Sequence, residues 1–342
     1  MNQLEIEEYI DKLLQQTETD VDEVFTRRLK VIQRQVNQMY IKYETNGELS
    51  WTDVNKYNRL QKEMKVIAQL FTEDYLMIIQ KLQASLESQY VEGYLRTAYL
   101  LEKTAATEMG FTIPSVAFIR EVLLNPVAEM TLNKILEPHR NEIVRRINIE
   151  ISQGIIAGEG YAQMAKRLER AVDFSRKKAK AVVRTEGGRV RSLSGEKAEE
   201  KAKEFAKITG RWMSALDLKV RSSHRRLDGT DTNNEGYFTY GDNRTKAPLL
   251  WVGPDSAKLS INCRCVKLRI VNGMLPEYRR GRDYMDPTYQ RKLADRIDKL
   301  MADESLTYKQ ALKKAQKEIS PPSVVREYET FEQWNSRLKK AS

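Results

Sequence analysis

The chain has 342 residues, a formal net charge of +10, 31% charged residues and a mean hydropathy of −0.61, values typical of an elongated helical protein with much solvated surface. No apolar run approaches the roughly 20 residues that span a bilayer, which is evidence against an integral membrane protein, and we expect no membrane partner. The two cysteines, spaced Cys-x-Cys, are evidence against a disulfide framework, and the first residues lack the features of a signal peptide, so we expect folding in a reducing cytoplasm.

The N-terminal third is predicted to form two long amphipathic helices, because apolar residues recur there every three or four positions. In the first helix they are Val21, Phe25, Leu29, Ile32, Val36, Met39 and Tyr43, and in the second Leu60, Met64, Ile67, Phe71, Tyr75, Ile78, Leu82, Leu86, Tyr90 and Tyr94. A turn at Asn46-Gly47 and a capping sequence at residues 50–53 separate them. We expect a hairpin over residues 1–112 whose stripes form a coiled-coil or bundle core. Such a hairpin is also suited to dock in a partner's groove.

Further helices are predicted in the middle of the chain. Residues 115–151 have a helical pattern, with breaks expected near Asn125-Pro126 and at Glu137-Pro138. Glycines at 154, 158 and 160 permit a tight reversal. A short helix over residues 161–174 and a longer one over about 175–207 are expected to follow.

Positive charge is concentrated in one segment. Residues 166–226 contain nineteen Lys and Arg against eight Asp and Glu, a net charge of +11. Such a segment suggests a polyanionic partner, with nucleic acid first, although a solvated helical face has the same composition. The candidate nucleic-acid contacts are Lys177, Lys178, Lys180, Arg189, Arg191, Arg225 and Arg226.

The hydrophobic period changes from helical to alternating near residue 210. Strands are predicted at residues 211–216, 237–240, 249–252 and 265–270, and we expect them to form one small antiparallel sheet. The basic segment 278–282 is predicted to be a loop. A helix over about 287–317 and a break at Pro321-Pro322 are expected to complete a polar tail.

Several chemically reactive residues lie between positions 211 and 269. If Asp217 caps a helix that runs through Arg226, then Asp217, Arg221, His224 and Asp228 share one helix face. Arg184 or Glu186, on the helix before this region, is expected to form an ion pair with a residue across the fold. We interpret these six residues as a structural polar cluster rather than a catalytic site.

Zinc binding is an alternative for this region. Cys263 and Cys265 would point to the same side of a strand, and with His224 and either Asp217 or Asp228 they would supply four ligands. The spacing is not a standard zinc motif, and two small buried thiols beside a hydrogen-bonded histidine have the same sequence. We expect no cofactor.

An ordered set of motifs runs through residues 130–270: Gly154, Gly158, Arg184-Thr185-Glu186, Arg211-Trp212, Asp217, Val220-Arg221, His224, Leu227-Asp228-Gly229, Phe238, Pro248 and Asn262-Cys263-Arg264-Cys265. The set resembles the phage Mu F-like family of minor head proteins, also called phage head morphogenesis proteins. The resemblance implies a virion component that associates with the portal vertex and influences DNA packaging or delivery.

The combined expectation is an α+β, mostly α protein. It has a helical hairpin or bundle over residues 1–112 and a helix-plus-antiparallel-sheet domain over 113–273, with helices to about 208 and a sheet over 209–272. A helical extension covers 274–342.

The resemblance implies that the protein lies in the capsid interior near the portal after assembly in the host cytoplasm. Expected partners are the portal protein, double-stranded DNA bound without sequence preference, and a major capsid or scaffolding protein. The alternative is a nuclease or nucleotide-dependent transferase. It would use His224 as acid or base, Arg221 to stabilise phosphate charge, and Asp217.

Overall fold

The computed structural model describes residues 3–45, 48–55, 58–124, 132–275 and 277–341, which form two compact units. Of the described residues, those within 5–206 and 239–263 belong to the first unit, and those within 3–4, 207–238 and 264–341 belong to the second. The described helices are α1 (Gln3–Tyr43), α2 (Trp51–Asn55), α3 (Arg59–Ala105), α4 (Val116–Leu124), α5 (Leu132–Ile156), α6 (Tyr161–Ala202), α7 (Ser222–Leu227), α8 (Ser256–Ser260), α9 (Pro287–Glu304), α10 (Tyr308–Glu318) and α11 (Phe331–Ala341). The described strands are β1 (Glu44–Thr45), β2 (Glu48–Leu49), β3 (Ile208–Met213), β4 (Phe238–Tyr240), β5 (Asn243–Thr245), β6 (Val266–Val271), β7 (Tyr278–Arg282) and β8 (Ser323–Glu327).

Four long helices, α1, α3, α5 and α6, form a bundle in the first unit. Helix α1 runs antiparallel to α3, because Thr17 contacts Ser85 near one end and Arg28 contacts Asp74 further along. It is also antiparallel to α6, since Glu18 bonds to Arg184 and Gln33 bonds to the carbonyl of Ala165. The predicted mostly helical fold is therefore confirmed, and the N-terminal hairpin is part of a larger bundle.

The predicted apolar stripes form the core of this bundle. Phe25, Ile32, Ile67, Phe71 and Leu86 are at most 2% exposed. Burial of each such side chain contributes about 1.5–3 kcal/mol relative to exposure, so the stripes supply much of the driving force for helix association.

Two predicted breaks among these helices are wrong. The boundary near residue 175 is absent, because α6 is continuous from Tyr161 to Ala202 and its sequence there contains no proline. Pro138 lies inside α5, and Ile143 and Ile147, further along the same helix, are buried. The expected break at Asn125-Pro126 and the Asn46-Gly47 turn lie outside the described residues.

Close helix approach explains one glycine of α6. A Cβ atom on Gly187 would lie 2.6 Å from Cδ1 of Leu14 and 3.0 Å from Oε1 of Gln89. A larger residue here would require the side chains of Leu14 and Gln89 to shift, so glycine permits the close approach of α6 to α1 and α3.

The expected single sheet is instead a set of separate two-stranded antiparallel pairs within the described ranges. In the second unit, β3 pairs with β6 from Ile208 opposite Val271 to Met213 opposite Val266. The predicted strand 249–252 is wrong, because Val252 makes only an isolated bridge with Arg244.

The C-terminal segment is folded into the second unit. The predicted loop 278–282 is strand β7, which pairs with β8, so that prediction is wrong. The basic composition of this segment is typical of an exposed loop, but one of its arginines, Arg279, is fully buried in the strand. The predicted helix 287–317 is divided into α9 and α10 at Ser305, which has a left-handed backbone with φ 52°. Helix α11 places Phe331 and Trp334 against Leu216 and Val220.

Candidate functional site

The first candidate site is a buried carboxylate, Asp217, in the loop after β3. Its side chain is 5% exposed. Oδ2 accepts a hydrogen bond from Nη1 of Arg264 at 2.6 Å, and Oδ1 accepts from the backbone N–H of Lys219 at 2.7 Å and the hydroxyl of Tyr284 at 2.9 Å. We call Asp217, Lys219, Arg264 and Tyr284 the Asp217 cluster.

The cluster holds its carboxylate ionised. Burial by itself favours the neutral acid, but the charge and hydrogen bond of Arg264 and the N–H of Lys219 outweigh it, so the pKa of Asp217 lies below its ordinary value. The same environment raises the pKa of Tyr284, chiefly through burial and then through the negative charge of Asp217. Asp217 is therefore an anion with three donors already in place.

A second buried carboxylate, Asp228, joins four segments of the second unit. It accepts bonds from the N–H and hydroxyl of Ser214 at 2.7 and 2.8 Å, from the N–H of Phe331 at 2.6 Å, and from Nη2 of Arg279 at 3.0 Å. The Asp228 and Arg279 side chains are 1% and 0% exposed. We call Asp228, Ser214, Arg279 and Phe331 the Asp228 cluster; it ties β3, α7, β7 and α11 together.

His224 and Cys265 form a buried pair between α7 and the start of β6. Nδ1 of His224 lies 3.3 Å from Sγ of Cys265, and the two residues are 1% and 2% exposed. The ring of His224 packs edge-on against Trp212 at a centroid distance of 5.2 Å. A histidine so enclosed is positioned for packing rather than for proton exchange with a dissolved substrate.

The predicted helix face around His224 does not exist. Helix α7 begins at Ser222, with Arg221 as its N-cap residue, and Asp217 lies in the preceding loop. The prediction of one helix from Asp217 through Arg226 is therefore wrong. Helical spacing alone does not show that Asp217 is held by Arg264 and Tyr284, which are distant in sequence.

Arg184 and Glu186 lie in α6 of the first unit. Nη2 of Arg184 donates to Glu18 at 2.7 Å, and Glu186 accepts from Nε of Arg189 at 2.9 Å. Both are ion pairs of the bundle, while Asp217, Arg221, His224 and Asp228 belong to the second unit. The cysteines are both buried, with Cys263 in the first unit and Cys265 in the second.

All five predicted nucleic-acid contacts on α6 are paired with carboxylates. These pairs are Lys177 with Asp173, Lys178 with Glu142, Lys180 with Asp22, Arg189 with Glu186 and Arg191 with Glu7. In the second unit, Arg225 donates to the carbonyl of Val220 and stacks over Phe331, whereas Arg226 is exposed. The concentration of cations in α6 therefore overstates the free positive charge there.

Comparison with known proteins places these features in a family. The family described as Phage Mu protein F like protein matches residues 145–268. Over 282 residues the chain is 39% identical to the minor head protein GP7 of Bacillus phage SPP1, covering 82% of this chain and 91% of that protein. The chain belongs to the phage Mu F-like family of minor head proteins. Both Asp217 and Asp228 lie inside the matched segment, while the Asp217 partner Tyr284 and the Asp228 partner Arg279 lie beyond it.

A second relative of this minor head protein has an enzyme's name. The chain is 26% identical over 288 residues to the NAD(+)--arginine ADP-ribosyltransferase EFV of Enterococcus faecalis (strain ATCC 700802 / V583). The match covers 83% of this chain but 58% of that relative, so much of the relative has no counterpart in the match. No solved structure matches the chain significantly. Among the described residues, no helix combines the length and apolarity needed to cross a membrane.

The sequence did not identify Tyr284 and Arg279 as site residues. Both lie in the C-terminal extension, in segments with no apolar periodicity, and their partners are more than fifty positions away. The sequence indicates such partners only indirectly, because Asp217 and Asp228 belong to the motif set and a buried carboxylate requires hydrogen-bond donors.

Proposed function

We propose that this chain acts in the phage head as a non-enzymatic component that binds the portal protein and packaged double-stranded DNA. The observation that carries the proposal is the match to a minor head protein over most of both chains. Its location would be the capsid interior near the portal. The major capsid protein or a scaffolding protein is a further proposed partner during assembly.

The bundle supports the portal part of this proposal. Helices α1 and α3 contain 41 and 47 residues, which correspond to lengths of about 60–70 Å. Leu95 and Tyr99 on α3 and Ile113 and Val116 after it are between 37% and 61% exposed. Exposed apolar side chains on long helices are suited to contact another protein.

The buried state of His224 supports a non-enzymatic role. A nuclease or transferase that used His224 would need substrate access to an imidazole that is 1% exposed and bonded to Cys265. The enzyme named among the relatives favours one specific assay. Purified protein is expected to transfer no ADP-ribose from NAD to arginine and to cleave no DNA or RNA. Turnover that is lost in His224→Ala, with folding intact, would establish the enzymatic alternative.

We also propose that the protein needs no bound metal. His224 and Cys265 are accounted for as a hydrogen-bonded pair, with zinc bound by His224, Cys263 and Cys265 as the alternative. Elemental analysis is expected to find no stoichiometric zinc, and chelator is expected to leave the unfolding midpoint unchanged. About one zinc per chain, with chelator-sensitive stability, would support the alternative.

Virion composition tests the head assignment itself. Mass spectrometry of purified DNA-filled heads is expected to detect this chain at low copy number relative to the major capsid protein. An affinity-tagged copy is expected to capture the portal protein from infected cells. Absence from both heads and assembly intermediates would contradict the proposal.

A further inference from the structure

Two cations of the second unit lie on one short segment. Nζ of Lys219 donates to Oγ of Ser320 at 3.1 Å. Nη1 of Arg282 donates to the carbonyl of Pro321, the residue after Ser320, also at 3.1 Å. Because Ser320 and Pro321 are adjacent in the chain, the ammonium and the guanidinium are neighbours. A third cation, Arg264, bonds to Asp217, two positions before Lys219.

The local charge does not cancel. In the ranges that the structure describes, no carboxylate lies within ion-pair distance of Lys219 or Arg282, and Asp217 is bonded to Arg264. Asp283, adjacent to Arg282 in sequence, lies 3.7 Å from Arg326 and is paired there. Lys219, Arg264 and Arg282 therefore carry three positive charges beside the single negative charge of Asp217.

The pKa of Lys219 shows that these groups share one electrostatic environment. Burial lowers it, Asp217 opposes that effect, and the positive charges of Arg264 and Arg282 lower it further. Like charges held together by the fold are stabilised by an added anion. The Arg264 side chain is 41% exposed and Lys219 is also exposed, so an anion can reach them from solvent.

The available donors suit phosphate oxygens. Guanidinium groups present forked N–H donors that match phosphate geometry, and an ammonium adds a point charge. We propose that Lys219, Arg264 and Arg282 form a phosphate-binding site that contacts the backbone of double-stranded DNA. This inference rests on the proposed DNA association and assigns it to the second unit instead of to α6.

The test uses the full-length double variant Lys219→Gln/Arg282→Gln. Its control is Lys292→Gln/Lys299→Gln, which removes two exposed lysines of α9 in the same unit and changes the net charge equally. Binding to a mixed-sequence DNA duplex is measured by fluorescence anisotropy over a range of salt concentrations. Equal unfolding midpoints for both variants and the wild type establish that each is folded. If the double variant is destabilised, Lys219→Gln alone replaces it.

The expected result is a loss of affinity on the order of tenfold near 0.1 M salt for Lys219→Gln/Arg282→Gln, with a log–log salt slope smaller by about 1.8. The control variant is expected to bind nearly as the wild type does. If both variants bind DNA as tightly as the wild type does, the proposed site is overturned while the proposed DNA association remains. No DNA binding by the wild type would overturn both.

Inorganic phosphate distinguishes the two sources of a phosphate group. If the site holds the DNA backbone, millimolar phosphate is expected to compete with DNA for the wild-type protein. The variant Lys219→Gln/Arg282→Gln is expected to lose both this competition and its DNA affinity. Phosphate binding that is lost in the variant without any change in DNA affinity would mean a small-anion site and would overturn the DNA assignment.

Discussion

In the helical bundle, the cations of α6 face carboxylates of neighbouring helices, as Lys180 faces Asp22 and Arg191 faces Glu7. In the second unit, Nζ of Lys219 and Nη1 of Arg282 donate to a hydroxyl and a carbonyl rather than to a carboxylate. Helix α6, which contains most of the cations of residues 166–226, therefore has less free positive charge than its composition suggests. Charge density along a chain predicts a binding surface only after intramolecular ion pairs have been subtracted.

The two regions also differ in what holds them together. The bundle relies on repeated apolar contacts along four helices, to which a buried ion pair such as Arg28–Asp74 is an addition. The second unit joins short elements through Asp217 and Asp228, each with several donors. We therefore expect loss of one carboxylate to damage the second unit more than loss of one surface ion pair damages the bundle.

The largest effect is expected from Asp228→Asn. The substitution leaves the guanidinium of Arg279 buried without its counter-charge, which costs about 3–5 kcal/mol in the free energy of unfolding. Chemical denaturation measures the loss. The matched control is Asp231→Asn, which breaks the ion pair between Asp231 and Arg211. The Asp231 side chain is 41% exposed, so this loss is expected to be less than about 1 kcal/mol. Equal losses in the two variants would contradict the account.

A double-mutant cycle in the bundle addresses the comparison from the other side. Arg28→Met is expected to lower the free energy of unfolding by about 3 kcal/mol, because Asp74 stays buried and loses the nearer of its two arginine partners, Arg28 and Arg27. Adding Asp74→Leu is expected to restore most of that loss, since apolar residues suit the surrounding core. A double variant no more stable than Arg28→Met would contradict the expectation that apolar side chains can replace this ion pair.

The low pKa of Asp217 predicts a pH dependence. A carboxylate whose pKa is depressed in the folded state contributes stability above its unfolded value, near 3.9, and loses it as pH falls through the folded pKa. Asp217→Asn is therefore expected to be less stable than the wild type at pH 6, and the difference is expected to shrink as pH falls below about 4. Denaturation at several pH values measures it. A difference that is constant between pH 6 and 2.5 would show that ionisation of Asp217 contributes nothing.

The smallest stability effect is expected from Arg184→Gln. Its pair with Glu18 links α6 to α1, but the Arg184 side chain is 48% exposed, so solvent screens the interaction and the loss is expected to be below about 1 kcal/mol. Thermal or chemical unfolding measures this loss. A loss as large as that of Asp228→Asn would make the pair structurally essential to the bundle.

The predictable part of this fold is the periodic part. The apolar stripes of α1 and α3 are predictable from spacing because a buried residue, such as Phe25 or Phe71, recurs every three or four positions along each helix. The family was likewise indicated by the motif order. Strand β7 was missed because the burial of Arg279 depends on Asp228, fifty-one positions earlier. Asp217 was placed on a helix because its true partners, Arg264 and Tyr284, cannot be found by local spacing.

The most direct test of the central comparison is a DNA titration of two charge-matched variants. Lys177→Gln/Arg184→Gln removes two cations from α6, and Lys219→Gln/Arg282→Gln removes two from the second unit. The α6 variant is expected to stay within about twofold of wild-type affinity, and the second-unit variant to lose on the order of tenfold near 0.1 M salt. A larger loss for the α6 variant would contradict the account and return the DNA contact to the bundle.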